Sequence, residues 1–372
     1  MKNFSSSSTE DLSFFIKKER FRKIFVLCGK KSYKASGAQN VINPILKKKN
    51  SKIYFKSFPY PVISELKKII SSIRKFSPDL IIAVGGGSVI DYAKIANVLE
   101  NHSNLDYQII NTTYQIKKKF CKLLAIPTTA GSGAEVTSSS VIYINKIKYS
   151  VESDKLKPDF FFLIPEFVKS ASAKIKSSTG FDAIAQAIES LISKQSNDKS
   201  VNFAKRSLEI SLKYYLDFLK NPNNENTSAM CLAANLAGEA INISKTTAPH
   251  AVSYPFTSIY NISHGHAVSL TLNKFLKFNY ENLKNSNCSF NLKSRYQTIF
   301  NLAGCGNINH LDQYLLEIKR KAKLEGNFKK LGINIKKDYR KIISGINKKR
   351  LINNPVKLEK KDINIILFKN SL

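Results

Sequence analysis

The chain has 372 residues, 43% of them hydrophobic and 23% charged, a globular composition whose length suits two domains better than one core. Its formal net charge of +32 raises nucleic acid or an anionic membrane surface as a partner, but the basic residues run along most of the chain without aromatic interleaving, as in a Lys-, Asn- and Ile-rich composition, so no nucleic acid is expected. No apolar run reaches the roughly 18 residues a membrane span needs, and the N-terminus lacks the apolar stretch of a signal peptide, so no membrane and a cytoplasmic location are expected.

In chain order, the first 18 residues carry a serine run and are expected to be a loose tail. KIFVLC (23–28) reads as a strand ending at Gly29. Residues 36–49 can hold a helix that Pro44 disturbs in its second half. KIYFKSF (52–58) reads as a strand and 62–76 as an amphipathic helix. LIIAV (80–84) is a buried strand running into Gly85-Gly86-Gly87-Ser88, followed by a helix over 89–99. LLAIP (123–127) is another strand, leading into Thr128-Thr129-Ala130-Gly131-Ser132-Gly133. This alternation predicts a Rossmann-like parallel sheet with helices on both faces. After about residue 166 strand-like runs fade and helical periodicity takes over. The expected fold is therefore α/β plus all-α, with a dinucleotide-binding domain over 19–165 and a helical-bundle domain over 166–372. From about residue 335 the sequence carries no chemical signal. The five cysteines form no CxxC pair and read as reduced thiols, none of them a zinc ligand.

The glycine turn at 85–88 lies between a strand and a helix, where backbone N–H groups and the helix dipole can receive a pyrophosphate. The second loop, with Thr128, Thr129 and Ser132, places hydroxyls at another strand end and suits phosphate or ribose contacts. Three of the five histidines fall together: His250, His264 and His266. Upstream, Asp182 and Gln186 are four apart in FDAIAQAIES and share a helix face. Asp182, Gln186, His250 and His264 can converge as a metal site, with Gln186 a weak ligand type. A carboxylate on an otherwise apolar helix needs a partner, which a divalent cation would supply.

GGGSVIDYAK, AIPTTAGSGAEVTSSSVI, TGFDAIAQAIES and PHAVSYPFTSIYNISHGHA, in this order, resemble the iron-containing (group III, metal-dependent) alcohol dehydrogenase family. KTTAPHAVSYPFTS and Gln186 most resemble its phosphonoacetaldehyde reductase (hydroxyethylphosphonate dehydrogenase) branch. The resemblance implies a nicotinamide-binding domain, a helical domain and an active site in the cleft between them, in the architecture of dehydroquinate synthase. It implies one divalent metal, Fe(II) or Zn(II), on the positions matching Asp182, Gln186, His250 and His264. Where the family often has a histidine four residues after the first metal histidine, this chain has Tyr254, so Tyr254, His266 or solvent would deliver the proton. It implies cofactor contacts from Gly29, Gly85, Gly86, Gly87, Ser88, Asp91, Thr128, Thr129, Ser132 and Lys148. NAD-preferring members carry an Asp after the first strand. Gly29, followed by Lys30 and Lys31, stands there in this chain, which favours NADPH over NADH.

The implied reaction is reduction of a small aldehyde, phosphonoacetaldehyde first, to 2-hydroxyethylphosphonate, with Lys245, Thr246 and Thr247 placed in sequence to bind the phosphonate. A family member acting on other small aldehydes or alcohols, a dehydroquinate-synthase-like cyclase and a basic nucleic-acid-binding protein are the competing readings. A homodimer stays open.

Overall fold

The computed structural model describes residues 2–4 and 8–368. Eight strands are named in chain order: β1 (Lys2–Phe4), β2 (Lys23–Gly29), β3 (Asn50–Lys56), β4 (Leu80–Gly85), β5 (Lys122–Pro127), β6 (Ser139–Ile144), β7 (Ile147–Glu152) and β8 (Phe160–Phe162). Six form one parallel sheet in the order β1-β8-β5-β4-β2-β3. Its central strands are apolar without interruption: Ile24 to Leu27 and Leu80 to Val84 are fully buried. Continuous apolar strands of this kind are those covered by helices on both faces. Ile24, Val26, Cys28, Leu80, Ile82 and Val84 share one face and one core cluster, as a period of two requires.

The chain divides into two compact units, Met1–Ser172 with Pro222–Asn235, and Ala173–Asn221 with Leu236–Leu372. The boundary lies a few residues beyond the expected 165 because the Pro165–Lys169 helix belongs to the first core, where Phe167 packs with the sheet residues. Residues 222–235, expected in the helical domain, also belong to the first unit. The long Asn224–Ser244 helix thus begins in one unit and ends in the other.

The described part of the N-terminus is not a loose tail. Ser8 caps a helix over Thr9–Lys18 in a reciprocal capping box with Asp11. That helix buries Leu12, Phe15 and Ile16 in the sheet core, and the backbone of β1 pairs with β8. The serine run at 5–7 lies outside the described residues. The sequence reading also passed over the antiparallel β6–β7 hairpin, whose turn residues Asn145 and Lys146 both take positive φ. The Ala38–Leu46 helix runs through Pro44 without stopping.

Among its described residues the second unit is helical, with no strand beyond one isolated bridge. Its central element is the Ala173–Ile192 helix, buried almost all round. A helix so enclosed should be wholly apolar, yet Asp182, Gln186 and Glu189 on it are nearly inaccessible. Among the described residues no helix is long and apolar enough to cross a membrane.

Candidate metal centre and cofactor loops

In the first unit the two small-residue loops meet at adjacent strand ends. β4 and β5 are paired so that Gly85 faces Pro127, and the Thr128 amide donates to the Gly85 carbonyl at 3.1 Å. The Gly87–Ala96 helix starts there with Gly86 as its N-cap and no side-chain cap. The N–H groups that open the helix are thus offered at the loop, as an anion site requires, apart from that of Val89, which donates to the Gly86 carbonyl at 2.9 Å. The glycines keep the loops close: a Cβ on Gly87 would come within 2.7 Å of Ser132 Oγ, and one on Gly86 within 3.2 Å of Thr129 Oγ1. Lys94, fully buried on the same helix, donates to Ala134 O, Thr137 Oγ1 and Ser139 O, tying the helix to the chain that follows the second loop. Burial raises the Asp91 carboxyl to about 6, against the pull of Lys94 and Lys148. Asp91 and Lys148, far apart in sequence, are therefore electrostatic neighbours. Gly29 ends β2 directly before Lys30 and Lys31, and a Cβ there would lie 3.9 Å from Lys56 Cε, so a further lysine stem borders this position.

The second unit brings together Asp182, His250 and His264, with one ligand atom from each lying within 4.8 Å of the others. Asp182 Oδ1 is 3.3 Å from His250 Nε2, and the two imidazole rings stand edge to face at 5.3 Å. Gln186, one turn beyond Asp182, donates from Nε2 to Asp182 Oδ2 at 3.1 Å. That bond fixes the amide's orientation and leaves Gln186 Oε1 buried with no hydrogen-bond partner, as is His250 Nε2. A buried acceptor left unmet costs about 1–3 kcal/mol. Two imidazoles, a carboxylate and an amide oxygen form a donor set suited to Fe(II) or Zn(II), so the residues present fit a divalent metal.

Two features hold this geometry. Gly265 lets the short His264–Ser269 helix lie directly on the Ala173–Ile192 helix. A Cβ there would come within 1.9 Å of the Ser178 carbonyl oxygen and 2.8 Å of Asp182 Cβ. The second is Glu189, which the sequence reading missed. It is fully buried and bonds His250 Nδ1 through one carboxylate oxygen. Its other oxygen accepts from the Thr247 amide at 2.7 Å and the Thr247 hydroxyl at 2.8 Å. A carboxylate on Nδ1 keeps the proton there and turns the Nε2 lone pair toward a cation. Burial works against charge on His250, but Glu189 and Asp182 outweigh it and raise its pKa to about 9, a measure of how strongly the site draws positive charge. The signal was available: Glu189 lies two turns after Asp182, on the face shared with Gln186.

The remaining expected residues divide. The Tyr254 ring lies 5.7 Å from that of His264. Burial raises its phenol, against the positive charge and hydrogen bond of Arg350, so it keeps its proton. His266 does not join the trio. Two helical residues are about 200° apart around the axis, so His264 and His266 face opposite ways. The His266 amide donates to Ser178 Oγ, its Nε2 lies 2.8 Å from the Glu325 carbonyl, and it lines a separate cavity of about 680 Å³ with Lys174 and Leu216. Thr247 is engaged at both its amide and hydroxyl by Glu189, which leaves it a bracing position rather than a phosphonate contact. Thr246 is buried and its carbonyl accepts from Asn353, while Lys245, at φ 60°, donates to Asn242 O.

The profile of the iron-containing alcohol dehydrogenases matches residues 3–165, and that of the C-terminal part of the same family matches residues 176–371. The chain belongs to the iron-containing alcohol dehydrogenase family. Within that family, 4-hydroxybutyrate dehydrogenase of Clostridium kluyveri is 33% identical over 227 residues, 60% of each chain. Phosphonoacetaldehyde reductase of Streptomyces viridochromogenes is 27% identical over 56% of this chain and 55% of its own. The match therefore spans less than two thirds of the length of these relatives. The structure of sulfoacetaldehyde reductase from Bifidobacterium kashiwanohense in complex with NAD+ is similar over 99% of this chain and 96% of that one, with 26% identity and a TM-score of 0.85. The two-domain architecture of iron-containing alcohol dehydrogenases is thus the architecture found here, an α/β sheet unit and a helical unit.

Proposed function

We propose that this protein is a metal-dependent, NADPH-linked alcohol dehydrogenase working as an aldehyde reductase, with phosphonoacetaldehyde as its substrate. The observation that carries the reading is the buried cluster of Asp182, His250 and His264, with Gln186 Oε1 and His250 Nε2 left for a cation. The glycine loop at an open helix N-terminus supports a dinucleotide phosphate in the first unit. Lysines at 30, 31 and 56 near Gly29, which stands where an Asp would hold a ribose 2′-hydroxyl, favour a ribose 2′-phosphate and hence NADPH.

Asp182, His250 and His264 would hold the metal, with the Gln186 amide oxygen as a fourth donor. When bound, the metal polarises the substrate carbonyl and the nicotinamide supplies the hydride. The chain's own contribution is positioning and proton supply. Glu189 holds the His250 ring in one tautomer, and Gly265 sets the spacing between His264 and Asp182. Tyr254 keeps its phenolic proton beside His264, where the product oxygen would take one up. Lys245, next to Thr246 and Thr247, remains a candidate for the phosphonate.

The test is NADPH oxidation by the purified protein loaded with Fe(II) or Zn(II), in the presence of phosphonoacetaldehyde. No oxidation with either metal overturns the reading. Equal turnover of neutral aldehydes reduces it to a dehydrogenase of small alcohols, and cofactor recycling without net oxidation would favour a cyclase.

A further inference from the structure

The cavity of about 680 Å³ that His266 lines lies wholly within the second unit and has the size of a small-molecule pocket. Four segments wall it: the start of the Ala173–Ile192 helix, the end of the Asp198–Lys220 helix, the chain from Ser263 to His266, and the chain leaving the Ile308–Lys321 helix. Hydrogen bonds tie all four together. Ser177 Oγ donates to the Ala322 carbonyl, and the buried Tyr215 hydroxyl donates to the Ser177 carbonyl at 2.6 Å. The His266 amide donates to Ser178 Oγ at 3.1 Å, and its Nε2 donates to the Glu325 carbonyl at 2.8 Å. Walls cross-linked in this way resist collapse onto the space between them.

The lining combines two chemistries. Leu216 and Leu219 are half-buried and Leu324 is buried, and these three supply an aliphatic surface. Lys174, Lys220, Lys321 and Lys323 are the exposed part of the lining. Lys321 is paired with Glu317 at 2.8 Å, whereas Lys174, Lys220 and Lys323 make no ion pair among the described residues. The described residues that line the cavity include no carboxylate. A cleft lined by charge of one sign concentrates counter-ions. The described lining also holds no Phe or Tyr, so a nucleobase would lack the stacking platform it usually needs.

We propose that this cavity is a second binding site, separate from the metal centre, for a soluble amphiphilic anion. Its aliphatic chain lies on Leu216, Leu219 and Leu324, and its phosphate or carboxylate head sits among Lys174, Lys220 and Lys323. His264 and His266 face opposite sides of their short helix, so the occupant lies across that helix from the metal trio. His266 is a wall of this site, which accounts for a histidine the metal centre does not use.

The test is calorimetric titration of the Zn(II)-loaded full chain with butyl, hexyl and octyl phosphate, octanoate, inorganic phosphate and octanol. One equivalent of each alkyl phosphate binds, and affinity rises about fourfold for each methylene buried. Octanoate binds at the same stoichiometry, while inorganic phosphate and octanol each bind more weakly than octyl phosphate. Replacing the three cations together, Lys174→Gln with Lys220→Gln and Lys323→Gln, weakens octyl phosphate about tenfold, since exposed ion pairs contribute modestly one by one. Leu219→Ser flattens the rise with chain length and leaves inorganic phosphate unchanged. Wild-type affinity in the triple lysine variant overturns the proposal, as does affinity independent of chain length or uptake of several octyl phosphates per chain. Sedimentation with phosphatidylglycerol vesicles, without binding of monomeric octyl phosphate, would make the surface a membrane contact and also overturn it. None of these readouts needs turnover, so the result stands whether or not the aldehyde reductase reading holds.

Discussion

Replacing Glu189 by Gln tests whether the centre is organised from behind its ligands. Glu189 accepts from three donors, His250 Nδ1, the Thr247 amide and the Thr247 hydroxyl, in a fully buried position. Gln has nearly the same shape but one acceptor oxygen. If that oxygen keeps both Thr247 bonds, the amide NH2 faces His250 Nδ1. The ring must then carry its proton on Nε2, the atom that should face the metal. Loss of such a partner behind a metal ligand typically costs about 10- to 100-fold in metal affinity, or about 1.4–2.7 kcal/mol. Glu189→Ala also leaves three buried donors unmet at about 1–3 kcal/mol each and so should lower stability steeply. Chelator competition for Zn(II) gives the affinity of each protein, and thermal melts in chelator separate folding from binding. Glu189→Gln should melt close to wild type in chelator yet release Zn(II) at least tenfold more readily. Wild-type affinity in that variant would refute the reasoning.

Other outcomes follow from the same geometry. Gln186→His exchanges an amide oxygen for an imidazole, a better ligand for a first-row metal, and should tighten Zn(II) binding about tenfold or more in the same competition. Gly29→Asp puts a carboxylate where a 2′-phosphate is expected; it displaces only the Ser32 hydroxyl, 2.8 Å from the new Cβ, and should lower the NADPH-to-NADH ratio of kcat/KM at least about tenfold. Lys319 is nearly inaccessible, and burial lowers its pKa to about 8 from the ordinary 10.5, with Asp312 opposing and Lys274 adding to the effect. Because the unfolded chain then binds more protons between these values, this group makes stability rise with pH across pH 8 to 10.5. Lys319→Met should therefore raise the melting temperature at pH 7 by removing a buried charge, and the gain should shrink as pH climbs through that window.

Much of the first unit was legible because β2, β4 and β5 are largely apolar runs ending in glycine or proline loops, a pattern with few alternative folds. The hairpin at β6–β7 escaped because its turn is Asn145-Lys146, without glycine, and because Val141 and Ile142 follow a run of serines. The N-terminal helix escaped because the serine run before it reads as a tail, although Ser8 and Asp11 form its cap. In the second unit, residue type and helical spacing pointed to Asp182, His250 and His264. Spacing says less about the other face: His266, two residues on, points away from His264. Glu189 was within reach of the periodicity that linked Asp182 to Gln186.

The hydrogen bonds of Asn353 also bear on how the protein is made. The helices carrying Asp182, His250 and His264 leave the ribosome well before residue 353, and the nascent chain can bring them together early. The loop that seats Thr247 against Glu189 is locked only when Asn353 arrives. Nascent chains would then hold iron or zinc loosely, and firm capture of the ion would wait until synthesis had passed that asparagine.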